Sequence, residues 1–108
     1  MADQATDTPV LDLLAGMTAL SLEASTLDAR EIMLSRIAAL VATNAPPISY
    51  ALNIGASADI GVDAEDVRGV FAAIAPIVGT ARTTAAMGNI VKALALEELA
   101  ESEELRSA

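Results

Sequence analysis

Arg36, Ser49, Tyr50 and Asn53 are the residues whose types and spacing point to a binding site. Ser49 and Asn53 stand four residues apart, with Tyr50 three before Asn53, so on a helix they share a small polar face carrying a hydroxyl, a phenol and an amide. Arg36 has Ile32 and Leu40 four residues to either side. Nothing on its own helical face pairs with it, so its guanidinium needs an Asp or Glu from another helix or subunit, or a ligand carboxylate, which guanidinium binds at two points. The plainer alternative for Ser49 and Asn53 is that they satisfy local backbone groups or pair across a helix interface. Ser49 as a nucleophile would need a base, and none is identifiable, so no catalytic residue is assigned.

Other chemistry is narrowed by what the chain lacks. It contains no Cys and no His, so thiolate chemistry and the usual group titrating near neutrality are both missing. Lys92, the only lysine, reads as a solvated charge near a helix end. Glu31 and Asp59 are the carboxylates beside apolar segments that burial could tune, although capping and surface pairing are the commoner fates. Glu97, Glu98, Glu101, Glu103 and Glu104 crowd the last twelve residues without His or Cys spacing, a solvated helix end or an acidic docking tail. Neither a metal nor a cofactor is expected. Six basic against fifteen acidic residues give a charge of −9, which repels nucleic acid.

The elements that must hold these residues are helices, because Ala, Leu and Ile dominate while there is one Phe, one Tyr and no Trp. Thr8-Pro9 opens a first helix through Leu22 that fades near Ser25. Asp28, with Glu31 three residues on, has capping-box spacing for a second, apolar on nearly all sides and suited to the centre of an assembly. Asn44 and Pro46-Pro47 stop it, Pro47 opens a third helix, and Gly61 closes that one in the left-handed conformation. Asp63 caps a fourth that Pro76 bends or ends, and Thr80 caps a fifth after Gly79. Gly55, Gly69 and Gly88 fall inside helices, where close approach of a neighbouring helix is the simplest account.

Residues 1–7 read as a flexible N-terminus, 8–96 as one helical domain and 97–108 as an acidic tail or helix end. Hydrophobic residues make up 54% of the chain and the mean hydropathy is +0.50. That is more apolar surface than a domain of 108 residues needs for its own interior. The longest apolar run, Val70 to Gly79, contains Pro76 and falls short of the roughly 18 residues of a membrane span. The surplus therefore predicts a homo-oligomer, with no membrane partner. Met1 to Asp7 lack the basic and apolar regions of a leader, so cytoplasmic residence is expected.

From Leu27 to about Leu94 the order of signals resembles the carboxymuconolactone decarboxylase and alkylhydroperoxidase D superfamily. The best-matching piece is Gly61-Val62-Asp63-Ala64-Glu65-Asp66-Val67, similar to the glycine, valine, cap and acidic turn before that family's fourth helix; Gly79-Thr80-Ala81 resembles its later glycine turn. The resemblance implies an all-α, compact five- to six-helix bundle of the alkylhydroperoxidase D-like type, assembled as a homo-oligomer such as a trimer or hexamer. Its peroxidase branch carries Cys-x-x-Cys and a histidine before the turn glycine. Counting back from Gly61 puts Asn53 at the histidine, Ser49 at the second cysteine and Pro46 at the first. The implied protein is thus a member without thiol peroxidase chemistry, binding a small organic acid or serving as an assembly module. The alternative is a divergent, cofactor-free decarboxylase or isomerase acting on a carboxylate-bearing lactone or related molecule.

Overall fold

Five helices follow one another: α1 Pro9–Ala24, α2 Ala29–Ala42, α3 Pro47–Ile60, α4 Ala64–Val78 and α5 Thr80–Ser107. The computed structural model describes the backbone of residues 8–107 and the side chains of residues 8–54 and 56–95. No strand occurs among the described residues, so the class is all-α. Residues 1–7, expected to be flexible, and the side chains of the acidic stretch 97–108 lie outside the described residues, as does Gly55 among the three helical glycines. No helix among the described residues is long and apolar enough to cross a membrane.

The helix boundaries follow from local hydrogen bonding. At the start of α2 the Glu31 N–H donates to Asp28 Oδ1 at 2.8 Å while Asp28 N–H donates to Glu31 Oε1 at 3.0 Å. Asp63 and Asp66 repeat the exchange at α4, at 2.9 and 3.0 Å, each box satisfying two backbone donors that a helix start leaves open. Asn44, with φ 55°, and Gly61, with φ 89°, close α2 and α3 in left-handed conformations. The residues after them donate back to Leu40 O at 3.0 Å and Ser57 O at 3.1 Å, which recovers carbonyls at the helix ends. Arg30 then ties the start of α2 to that of α4, donating to both Asp66 oxygens at 2.7 and 2.9 Å.

α2 is the central helix, packing on α3, α4 and α5, and α3 packs along α5. Val41, Ala45, Tyr50, Ala51, Ala86 and Ala93 form one buried cluster, and Met33, Ile37 and Val62 a second, with Phe71 packed against both. The alanines let α3 and α5 approach closely.

Three local expectations change. Pro76 does not end α4, which runs on to Val78; in the last turn its missing N–H frees only one carbonyl that still needs a partner. Thr80 is not the cap of α5: the Gly79 carbonyl accepts the Thr83 N–H at 3.1 Å and Thr83 Oγ1 at 2.8 Å, and Gly79 adopts φ 96°, ψ 164°, a region open to glycine. Gly69 and Gly88 do not mark a close approach within the chain, since a Cβ at either would meet nothing within 4 Å.

α1 stands apart from this packing. None of its residues is buried.

Candidate functional site

α1, α2 and α3 line an open cleft of about 610 Å³. α2 contributes Met33, Arg36 and Leu40, α3 contributes Leu52 and Asn53, and α1 closes the side with Leu14 and its neighbours. The walls are apolar because these positions lie on the faces that the helices turn toward one another. Among the described residues Arg36 is the only charged side chain lining the cleft.

Arg36 is half-buried. Its Nη2 donates to the Thr18 carbonyl at 3.4 Å and to Ser21 Oγ at 3.3 Å, both on α1. These are long, and both acceptors are neutral. The ion pairs among the described residues are Arg30 with Asp66 and Arg68 with Glu65, so Arg36 meets no carboxylate there. Its expected anionic partner within the chain is absent among the described residues; in its place stand a backbone carbonyl and a hydroxyl of α1.

Asn53 is half-buried and its Nδ2 donates to the Ser49 carbonyl at 2.8 Å. The link between Ser49 and Asn53 therefore runs from side chain to backbone, one turn apart. Arg36 and Asn53 line the same cleft, whereas Ser49 and Tyr50 do not line it. Tyr50 turns into the core between α3 and α5, 1% exposed, and its hydroxyl has no hydrogen-bond partner among the described residues. Burial pushes its phenol above the ordinary value of 10.0. Glu31 serves the α2 capping box, and Asp59 and Lys92 are exposed.

A second cleft, of about 470 Å³, lies on the other side of α3, among α2, α4 and α5. Ile54, Phe71, Met87 and Ile90 wall it and Ser57 lies at its floor. Ser57 is 3% exposed, and its Oγ donates to Asn53 O at 2.7 Å. Sequence reasoning passed over this serine. Its signal was a place four residues after Asn53 and three after Ile54, on the face that continues the apolar stripe of α3. Among the described residues no group of three His, Cys, Asp or Glu side chains gathers to hold a metal ion.

This is an all-helical protein built around two capping-box helices and a glycine-closed turn, with no thiol anywhere in its sequence. The profile of the carboxymuconolactone decarboxylase family matches residues 9–90, about three-quarters of the chain, and the chain belongs to that family. No curated protein and no solved structure matches it. Within the family it is a member whose sequence contains neither a cysteine nor a histidine, and so lacks the Cys-x-x-Cys and histidine.

Proposed function

We propose that this carboxymuconolactone decarboxylase-family chain binds a small organic acid in the cleft between α1, α2 and α3, with Arg36 holding the carboxylate and Asn53 beside it on the wall. The observation that carries this is the state of Arg36: a permanent cation, half-buried among apolar side chains, with only two long bonds to neutral oxygens. A charge in such surroundings is costly to leave uncompensated, and a carboxylate supplies both the opposite charge and two acceptors matched to the guanidinium fork. The apolar walls suit the hydrocarbon body of the acid. Ser49 and Tyr50 belong to this reading as the support of α3, Ser49 holding the Asn53 amide through its carbonyl.

The same anchor would serve a decarboxylase or isomerase acting on a carboxylate-bearing lactone. Such turnover needs a group that moves protons near neutrality, and the described residues lining the cleft supply none, a guanidinium being a permanent cation. Binding is the function its residues support best.

The test is calorimetry with benzoate and its uncharged counterpart benzamide on the wild-type chain and on Arg36→Met. Benzoate is expected to bind and benzamide not. Arg36→Met should weaken benzoate by about 2 kcal/mol, the low end of the 2–5 kcal/mol range for losing one partner of a hydrogen-bonded charge pair, because Arg36 is only half-buried. Equal binding of the two compounds, or unchanged benzoate affinity in a folded Arg36→Met protein, would sink the reading.

A further inference from the structure

Arg36 does more than line the cleft: it also holds α1. Leu14, Met17, Thr18, Ser21 and Leu22 line the cleft from that helix, at the i, i+3, i+4, i+7, i+8 spacing of a single helical face. Both polar members of this face accept from Arg36 Nη2, Thr18 through its backbone carbonyl at 3.4 Å and Ser21 through Oγ at 3.3 Å. Among the described residues these are the hydrogen bonds that tie α1 to another helix. Its apolar grip is slight, since α1 has no buried residue and Leu14, Met17 and Leu22 are 48%, 55% and 45% exposed.

The shape of a guanidinium makes that hold conditional. It grips a carboxylate at two points either end-on, through Nη1 and Nη2, or side-on, through Nε and Nη2, so either grip uses the nitrogen that holds α1. With both partners charged such bonds are short, at about 2.7–2.9 Å, and strong. The bonds to Thr18 and Ser21 reach neutral acceptors and are longer than the usual range. A carboxylate therefore wins Nη2. Little opposes the exchange on the α1 side: the Thr18 carbonyl lies inside a helix that runs on to Ala24 and keeps its intrahelical bond, and the Ser21 hydroxyl is exposed to water. α2 loses nothing, because the Asp28 and Glu31 capping box and the Arg30 pair with Asp66 fix its start independently of α1. Movement falls to residues 25–28, the short link between the two helices.

Building on the proposal that Arg36 holds a carboxylate, we infer that Arg36 is a latch: an acid entering the cleft takes Nη2 from Thr18 and Ser21 and frees α1. The docked helix thus restrains binding, and bound acid undocks the helix. These are two sides of one coupling, so weakening the hold on α1 tightens the acid. For one long bond to a neutral oxygen the change is about threefold in affinity, near the low end for a single hydrogen bond.

Calorimetry with benzoate on two α1 variants of the full chain, joined to hydrogen exchange of the α1 amides, tests the latch. Ser21→Ala, at an exposed position, should bind benzoate about threefold more tightly than wild type. Gly16→Ala raises helix propensity elsewhere on α1, where a new Cβ meets nothing within 4 Å, and should leave the affinity unchanged. In sub-second exchange, saturating benzoate should speed the α1 amides and benzamide should not, while Arg36→Met should speed them without any ligand. Ser21→Ala binding benzoate no more tightly than wild type or Gly16→Ala would overturn the latch, and weaker binding would make Ser21 a ligand contact instead. So would α1 exchange that benzoate slows or leaves unchanged, or that Arg36→Met leaves unchanged. Those results leave acid binding standing. Benzoate that binds neither wild type nor Ser21→Ala removes the acid-binding reading, and the latch with it.

Discussion

Tyr50→Phe should stabilise this protein. The Tyr50 ring is 1% exposed in the cluster of Val41, Ala45, Ala51, Ala86 and Ala93, and its hydroxyl is buried with no partner among the described residues. A hydroxyl taken from water without a replacement bond costs about 1–3 kcal/mol in proteins. Phenylalanine keeps the ring and its packing and removes the unsatisfied oxygen, leaving a void the size of that one atom. Allowing for lost contacts around the void, the net gain should be about 1 kcal/mol, or a rise in Tm of roughly 4–8 °C for a domain near this size.

Urea unfolding followed by circular dichroism at 222 nm is the assay, since the chain has no Trp and a single Tyr. The midpoint should rise with the m-value unchanged. That single tyrosine gives an independent readout, because ultraviolet titration of the phenol reports Tyr50 alone. Burial raises its folded pKa above the unfolded value of 10.0, so the wild-type stability is intact below about pH 10 and declines as pH rises through the folded value. Tyr50→Phe should lack this alkaline loss. A variant destabilised by more than about 1 kcal/mol, or a phenol that titrates normally in the folded protein, would mean the hydroxyl has a partner or meets water, and the reasoning would fail.

Three further outcomes are expected. Asp28→Ala removes the acceptor for the Glu31 N–H and half of the α2 capping box, so it should cost about 1 kcal/mol in chemical denaturation, while exposed Asp59→Ala should change little. The side-chain bonds from Arg30, and then the Asp63 backbone N–H, hold the Asp66 carboxyl well below its ordinary value of 3.8. The stability it contributes is therefore present above about pH 4 and lost as pH falls further, and acid titration of Asp66→Asn against wild type should show the difference shrinking in that direction. Metal-free protein should show no dithiol-driven turnover of an organic hydroperoxide, since the peroxidatic sulfur must be a thiolate and the chain has no cysteine; a robust rate in a coupled assay would contradict this.

What could be read from the sequence was whatever is settled within a turn or two of chain. Asp28 with Glu31, Asn44, Gly61 and Asp63 each fix a helix end through bonds to residues at most five positions away, so spacing alone places them. Arg36 shows the opposite case. Its need for a partner was legible in Ile32 and Leu40, but its observed acceptors are a carbonyl and a hydroxyl 18 and 15 residues back, and a backbone carbonyl leaves no residue-type signal. Tyr50 stood on the Asn53 face by spacing. Packing against the alanines of α5 selects a different face of α3 for burial and takes the phenol into the core. Periodicity shows that α1 is apolar; it does not say whether its partner lies in the same chain.

That the wall of this cleft carries Asn53 and no histidine bears on what kind of recognition the cleft can perform. A histidine there would gain or lose charge between about pH 5 and 8 and would couple binding to the protein's own titration. An amide does not titrate, and here its Nδ2 is committed to the Ser49 carbonyl, which fixes its orientation. A guanidinium in a protein is a permanent cation. Under the proposed reading the protein's half of the interaction is therefore constant across neutral pH, and the affinity follows the ionisation of the acid alone. On that reading a cleft with one permanent cation, an immobilised amide and apolar walls would select a ligand by charge and shape, and would hold it without offering it a proton.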